Sequence, residues 1–388
     1  MIFSLFLSTV SSAYAYVWLL SPGPTSAQYA SGIRAAVLSL RSDNAESLYS
    51  IRWCEFEAVS VDYILIRPIV QDIEFNYIVS GITPLFDHVV ATPTALGAHG
   101  YYYADHYAKL FLLGFYKGGP LGLHYDRVMY LEADYMPLRS LTHLFVQEPS
   151  SNIPTQGPNP EWSPVTKTEK MDLQNELAKA KQFKQGVANC DGLWKPQVIP
   201  VEELERQRAI DAAGFIAMPT AYWIEQPCYT AGGPLLLTPS EVLYNIYTIP
   251  VTHCDESRQI SFRSGQICNH PTNFKGICNE NEMGYLNRIL LQHDRVLART
   301  LHPFYTVLKN EFIYQPAPNS NMKGYWTRNY FNNNESETFH SLFGVHFAGP
   351  IKAWHSPPHH AWGRPMTELA VLVRQFNRFQ NLIQRDRL

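Results

Sequence analysis

The chain lacks several signals that would each have fixed a function class. There is no stripe of lysine and arginine interleaved with aromatics, and 31 basic against 34 acidic residues leave a formal charge of −3. That balance argues against a nucleic-acid partner. The six cysteines (Cys54, Cys190, Cys228, Cys254, Cys268 and Cys278) form no C-x-x-C and no zinc-site spacing. Four of them fall between positions 228 and 278, which permits disulfides in an oxidising compartment, while buried free thiols explain the count equally well. No G-x-G-x-x-G follows the first apolar run, which disfavours a nicotinamide-dependent dehydrogenase. Internal repeats are absent too, and no charged side chain precedes Arg34.

What is present is enough apolar surface for a sizeable core, with 46% hydrophobic and 13% aromatic residues over 388 positions. Ile2 to Val10 is apolar and is followed by Ala13-Tyr14-Ala15, an A-x-A pattern open to a signal peptidase, although the basic residues that usually precede such a segment are missing. Residues 1–15 are therefore expected to be a signal peptide or anchor, giving a secretory or Golgi-lumenal protein whose membrane contact is confined to that segment. A merely apolar N-terminal arm on a cytoplasmic protein is the alternative. The tripeptide Asn334-Glu335-Ser336 matches a glycosylation sequon, a pattern frequent enough by chance to carry little.

Through about residue 147, short apolar runs alternate with helical patterns, which predicts a parallel sheet covered by helices. Tyr16 to Leu20 and Tyr63 to Ile66 read as strands. Gln28 to Leu40 reads as a helix, as does the almost wholly apolar Tyr107 to Tyr116, in which Lys109 is conspicuous. From about 148 to 208 the prolines and charges of a surface insertion take over, and Ala231 to Leu237 then returns to core-like sequence. Leu369, Leu372, Phe376 and Phe379 give residues 366–388 the spacing of a C-terminal amphipathic helix.

The densest signal is Asp126-Arg-Val-Met-Tyr-Leu-Glu-Ala-Asp134, where a buried-strand run ends in the carboxylates Glu132 and Asp134. In extended chain, positions i and i+2 share a face, so both acids would meet just beyond the carboxyl end of the strand, where open α/β sheets bind ligands. Paired hard oxygens suit Mg²⁺ or Mn²⁺ with a substrate phosphate completing the shell.

Further segments extend this one. Ala15-Tyr-Val-Trp-Leu-Leu-Ser21, Tyr29-Ala-Ser-Gly-Ile-Arg-Ala-Ala-Val-Leu-Ser-Leu40, Tyr107-Ala-Lys-Leu110, Glu282-Met-Gly-Tyr-Leu-Asn287 and His346-Phe-Ala-Gly-Pro-Ile-Lys-Ala-Trp354 follow one another around it. In that order the chain resembles glycosyltransferase family 8, the glycogenin-like retaining enzymes, over roughly Ala15 to Trp354. The resemblance implies an α/β fold of the GT-A nucleotide-diphospho-sugar transferase type, spanning 16–365 apart from the insertion, with a mixed, mostly parallel sheet flanked by helices. It also implies transfer of a hexose or hexuronic acid from a UDP-sugar, with Mn²⁺, to a glycan, lipid or protein acceptor.

Carried over position by position, the resemblance makes Glu132, Asp134 and His346 the metal ligands. Leu19 and Tyr29 would flank the nucleobase, and Ala133 and Gly349 would lie against the nucleotide. Lys109 and Lys352 would bring positive charge to the leaving diphosphate, and Glu282 would stand beside the reacting sugar. The chemistry needs such a set, because charge grows on the diphosphate as the glycosidic bond breaks. Each residue also has a plainer reading: a hydrogen-bonded core histidine for His346, an exposed loop lysine for Lys352, helix packing for Tyr29.

The sequence departs from the family at three places. Glu132 replaces the first aspartate of D-x-D, Met283 stands where glutamine is usual, and Ala353 replaces the proline of K-P-W. A thioether cannot do what an amide does, so a catalytically impaired relative that only binds nucleotide-sugar is one alternative. A self-glycosylating primer is the other.

Overall fold

In the computed structural model the described residues are 14–45, 61–93, 104–139, 141–146, 173–175, 177–178, 214–219, 233–248, 286, 298–312, 325–348, 352 and 354. Among the predicted features, Glu282, Met283, Gly349, all the cysteines, most of the insertion and the helix over 366–388 lie outside them.

Among the described residues ten strands build two sheets. They are β1 (Tyr14–Leu19), β2 (Val61–Pro68), β3 (His88–Thr92), β4 (Arg127–Tyr130), β5 (Tyr135–Pro137), β6 (Ile216–Pro219), β7 (Leu235–Leu237), β8 (Ala298–Leu301), β9 (Val307–Leu308) and β10 (Gly344–His346). The large sheet has seven strands in the order β3-β2-β1-β4-β7-β6-β8. Among its described strands β7 alone runs against its neighbours, pairing antiparallel with both β4 and β6. This is an α/β fold with the mixed, mostly parallel sheet flanked by helices that the sequence predicts.

The strands form where the sequence is apolar on both faces. Along β1, Tyr16 and Trp18 point into one core and Ala15, Val17 and Leu19 into the other, and β2 divides the same way between Tyr63 with Leu65 and Ile64 with Ile66. A sheet buried on both sides needs such continuous runs, since alternation only assigns side chains to one layer or the other. Helix α1 (Ser26–Ala45) covers the first face with Ile33, Ala36, Val37 and Leu40. Helix α2 (Ile73–Ile82) packs beside it, capped by Asp72, whose carboxylate accepts from the Phe75 backbone N–H at 2.9 Å. The apolar segment around Lys109 forms a 3₁₀ helix, Ala104–Gly114, on the second face.

The expectation of an N-terminal anchor, and with it a secretory location, is corrected by the fold. Among the described residues no helix is long and apolar enough to cross a membrane. The A-x-A pattern also runs into the fold: Tyr14 and Ala15 are the first residues of β1, registered with Val61 and Asp62 on one side and with Arg127 and Val128 on the other. Cleavage after Ala15 would remove two paired residues of a central strand. Residues 1–13 lie outside the described part of the chain.

The second sheet joins distant segments of the chain. Strand β10 lies between β5, antiparallel, and β9, parallel, with His346 opposite Tyr135 on one side and Leu308 on the other. It therefore brings His346 and the residue after β9 to the carboxyl end of β4, although about two hundred positions separate them in sequence.

Candidate active site at the carboxyl end of β4

Strand β4 ends at Tyr130, and the chain then turns rather than running straight, closed by a hydrogen bond from the Tyr135 N–H to the Glu132 carbonyl at 3.0 Å. The turn overrides the i, i+2 rule, which holds only for extended chain. Glu132 and Asp134 consequently take different partners instead of sharing one.

Glu132 faces the 3₁₀ helix. Its Oε1 accepts from the Lys109 ammonium at 2.6 Å and its Oε2 from the Tyr130 hydroxyl at 3.1 Å. Lys109 is fully buried and also sits over the Tyr130 ring, 5.1 Å from its centroid. A buried ammonium needs a counter-charge to be tolerated, and Glu132 supplies it.

Asp134 faces β10 and the loop beyond it. Its Oδ1 lies 3.3 Å from His346 Nε2 and its Oδ2 accepts from the Lys352 ammonium at 2.5 Å. The backbone closes the same contact, since the Phe347 N–H donates to the Asp134 carbonyl at 2.9 Å. Burial alone would disfavour the ionised carboxylate, but His346 and Lys352 outweigh it and hold the Asp134 carboxyl well below the usual carboxylate range. Lys352 donates in addition to the Phe347 carbonyl at 2.8 Å and lies 5.5 Å from the centroid of the Tyr29 ring. Far from being a solvent-exposed loop lysine, Lys352 is 7% exposed.

Trp354 finishes the loop by packing edge-on against Tyr29, with ring centroids 5.8 Å apart. It lies over Gly32 of α1, where an added Cβ would strike the ring and stand 2.6 Å from the Ala133 carbonyl oxygen. Only a residue without a side chain lets helix, loop and acidic turn approach this closely. A cavity of about 10 Å³ remains among Gly32, Ala133, Asp134, Phe347 and Trp354.

Of the expected site residues, the structure joins Asp134, His346 and Lys352 into one contact set, with Tyr29 beside it and Ala133 in the turn. Leu19 is buried at the end of β1 and registered with Ile66. Glu132 and Lys109 form a separate pair. Among the described residues no group of three or more metal-binding side chains converges. Glu132 and Asp134 thus do not converge as the extended-chain reading supposed, and the three residues the resemblance gives as metal ligands fall into two contact sets, Glu132 with Lys109 and Asp134 with His346.

The donor set nonetheless suits a cation held by two residues. Ligands about 2.1 Å from one cation and at right angles to each other are roughly 3 Å apart, close to the 3.3 Å between Asp134 Oδ1 and His346 Nε2. Mg²⁺-like ions are commonly held by one or two protein groups with substrate phosphates supplying the rest, and an imidazole shifts the preference toward Mn²⁺.

One member of the site was missed in the sequence. Lys309, directly after β9, is 5% exposed and donates from its ammonium to the Ala348 carbonyl. Burial and then the neighbouring Lys352 push it down to about 8, with Asp134 opposing. The signal that could have found it is the one that singled out Glu132, namely an apolar run (Phe304 to Leu308) ending abruptly in a charged residue.

No family model matches the chain, and no curated protein matches it. Solved structures overlap it along most of its length, but loosely. The galactosyltransferase LgtC, in complex with donor and acceptor sugar analogues, shares 13% identity over 92% of this chain and 95% of its own, with a TM-score of 0.37. Glycosyltransferase GlyE of Streptococcus pneumoniae shares 12% over 95% of this chain and 63% of its own at a TM-score of 0.41. Mouse xyloside xylosyltransferase 1 shares 12% over 87% of this chain and 99% of its own at 0.37.

Proposed function

We propose that the chain is a retaining glycosyltransferase that moves a hexose or hexuronic acid from a UDP-sugar to a glycan, lipid or protein acceptor. The observation that carries this reading is the contact of Asp134, His346 and Lys352, drawn from separate segments to the carboxyl end of the central parallel strands. A carboxylate, an imidazole and an ammonium in one buried place is the composition a nucleoside diphosphate with its cation calls for.

In this reading Asp134 and His346 hold a divalent cation, Mn²⁺ by the chemistry of the pair, which when bound would offset the charge that develops on the leaving diphosphate. Lys352 faces the same diphosphate as a fixed positive charge, needing no reorganisation when the bond breaks. Tyr29 and Leu19 bound the nucleobase, with Ala133 and Gly349 allowing close backbone approach. Lys109 holds Glu132 and so fixes the wall on the sugar side. Glu282 orients the sugar or the incoming hydroxyl, which attacks on the face the diphosphate leaves.

A catalytically impaired relative is the second reading, favoured by Met283 and by the engagement of both Glu132 oxygens with Lys109 and Tyr130. Incubation with a panel of UDP-sugars, Mn²⁺ and simple acceptors, with UDP release and product anomer followed, separates the two. The first reading expects release with one sugar and an α-configured product from an α-linked donor. No release across the panel would discard it in favour of the second.

A further inference from the structure

The loop that follows β10 is gripped by two lysines rather than one. Lys352 donates to the Phe347 carbonyl and Lys309 to the Ala348 carbonyl, so the two ammonium groups rest on consecutive peptide units. They reach this place from opposite directions. Lys352 comes from the loop itself, while Lys309 comes from β9, one residue beyond Leu308, the partner of His346 in the parallel register. Both side chains are buried, at 5% exposure for Lys309 and 7% for Lys352, and Asp134 is the carboxylate that acts on each.

Two buried cations close enough to disfavour one another have an obvious complement in a ligand with more than one negative charge. In the free protein the ammoniums rest on carbonyl dipoles and on the Asp134 carboxylate, and a diphosphate presents charge to both of them at once. The backbone reinforces this placement, because the strand register fixes Lys309 relative to His346 within one residue.

We propose that Lys309 is a second ammonium of the donor site, holding the diphosphate of the nucleotide sugar together with Lys352. The assignment rests on the proposed donor site and adds a residue to it. It makes phosphate recognition depend on β9, the strand paired in parallel with β10.

The test measures UDP binding by calorimetry and uridine binding by ligand-observed NMR, in Mn²⁺, for the native chain and for Lys309→Met, Lys309→Gln and Lys309→Arg. Loss of one charged hydrogen-bond donor should weaken UDP about 10- to 100-fold in the Met and Gln variants and leave uridine unchanged. Arg should retain most of the UDP affinity. The Gln variant keeps an amide donor for Ala348, so it remains informative if Met fails to fold. UDP affinity unchanged in both neutral variants would overturn the proposal, as would equal weakening of UDP and uridine, which marks a merely structural role. A native chain that binds no UDP is a separate result: the donor reading fails, and this assignment falls with it.

Discussion

Replacing Asp134 with asparagine keeps the shape of the acidic turn and removes its charge, which makes the ion pair with Lys352 measurable. The two side chains are 12% and 9% exposed. Exposed pairs contribute about 0–1 kcal/mol, but that regime requires solvent screening that this pair lacks. Breaking a buried pair from one side instead costs about 3–5 kcal/mol, because the surviving charge stays in the interior. Lys352 would keep the Phe347 carbonyl, so the lower end, about 3 kcal/mol, is expected for Asp134→Asn. Lys352→Met should cost a similar amount by stranding the carboxylate beside His346 alone. The double variant strands neither charge, and its loss should fall short of the sum by about 2–3 kcal/mol. Urea unfolding followed by tryptophan fluorescence gives the four stabilities, compared at a common m value. Additivity within about 0.5 kcal/mol would refute the buried pair.

Glu311 should give the protein a distinct pH dependence. Burial raises its carboxyl from 4.5 to about 7, partly opposed by the Thr327 N–H and hydroxyl, which donate to it at 2.7 and 2.9 Å. Between those values the folded state keeps a proton the unfolded chain releases, so stability falls as pH rises, by about 3 kcal/mol across the window. Glu311→Gln should flatten that slope in unfolding curves taken from pH 4.5 to 8, and an unchanged slope would exclude Glu311 as its source. Gly32→Ala should destabilise by about 1–3 kcal/mol, since the new Cβ meets the Ala133 carbonyl oxygen at 2.6 Å as well as the Trp354 ring. Gly81→Ala in α2, which meets nothing within 4 Å, is the control and should be neutral or stabilising by up to about 1 kcal/mol in the same melts.

Three strands of the large sheet, β1, β2 and β4, were legible because their signal is local, whereas β3, β6 and β8 were not singled out. Tyr16 to Leu20, Tyr63 to Ile66 and Val128 to Leu131 are apolar runs too short for helices, and each became or abutted a strand within a residue or two of the expected bounds. The site was legible only in outline. Asp134, His346 and Lys352 could be named from their motifs, but which carboxylate each lysine would choose depends on the turn at Glu132 to Tyr135, a tertiary feature with no local signature. The same holds for the small sheet, whose strands β9 and β10 are two and three residues long and exist only through pairing. Without that pairing Lys309 is one lysine among many, and Glu311 a surface acid. The A-x-A pattern misled because Tyr14 and Ala15, read there as a cleavage site, are equally the residues that open a buried central strand.

Whether the Asp134, His346 and Lys352 cluster is a donor site is measured most directly by calorimetric titration of UDP into the native protein and Asp134→Ala, with Mn²⁺ and then with EDTA. A donor site there gives binding by the native protein in Mn²⁺, marked weakening in EDTA, and loss of the metal dependence in the variant. Equal UDP affinity for both proteins with and without metal would contradict it.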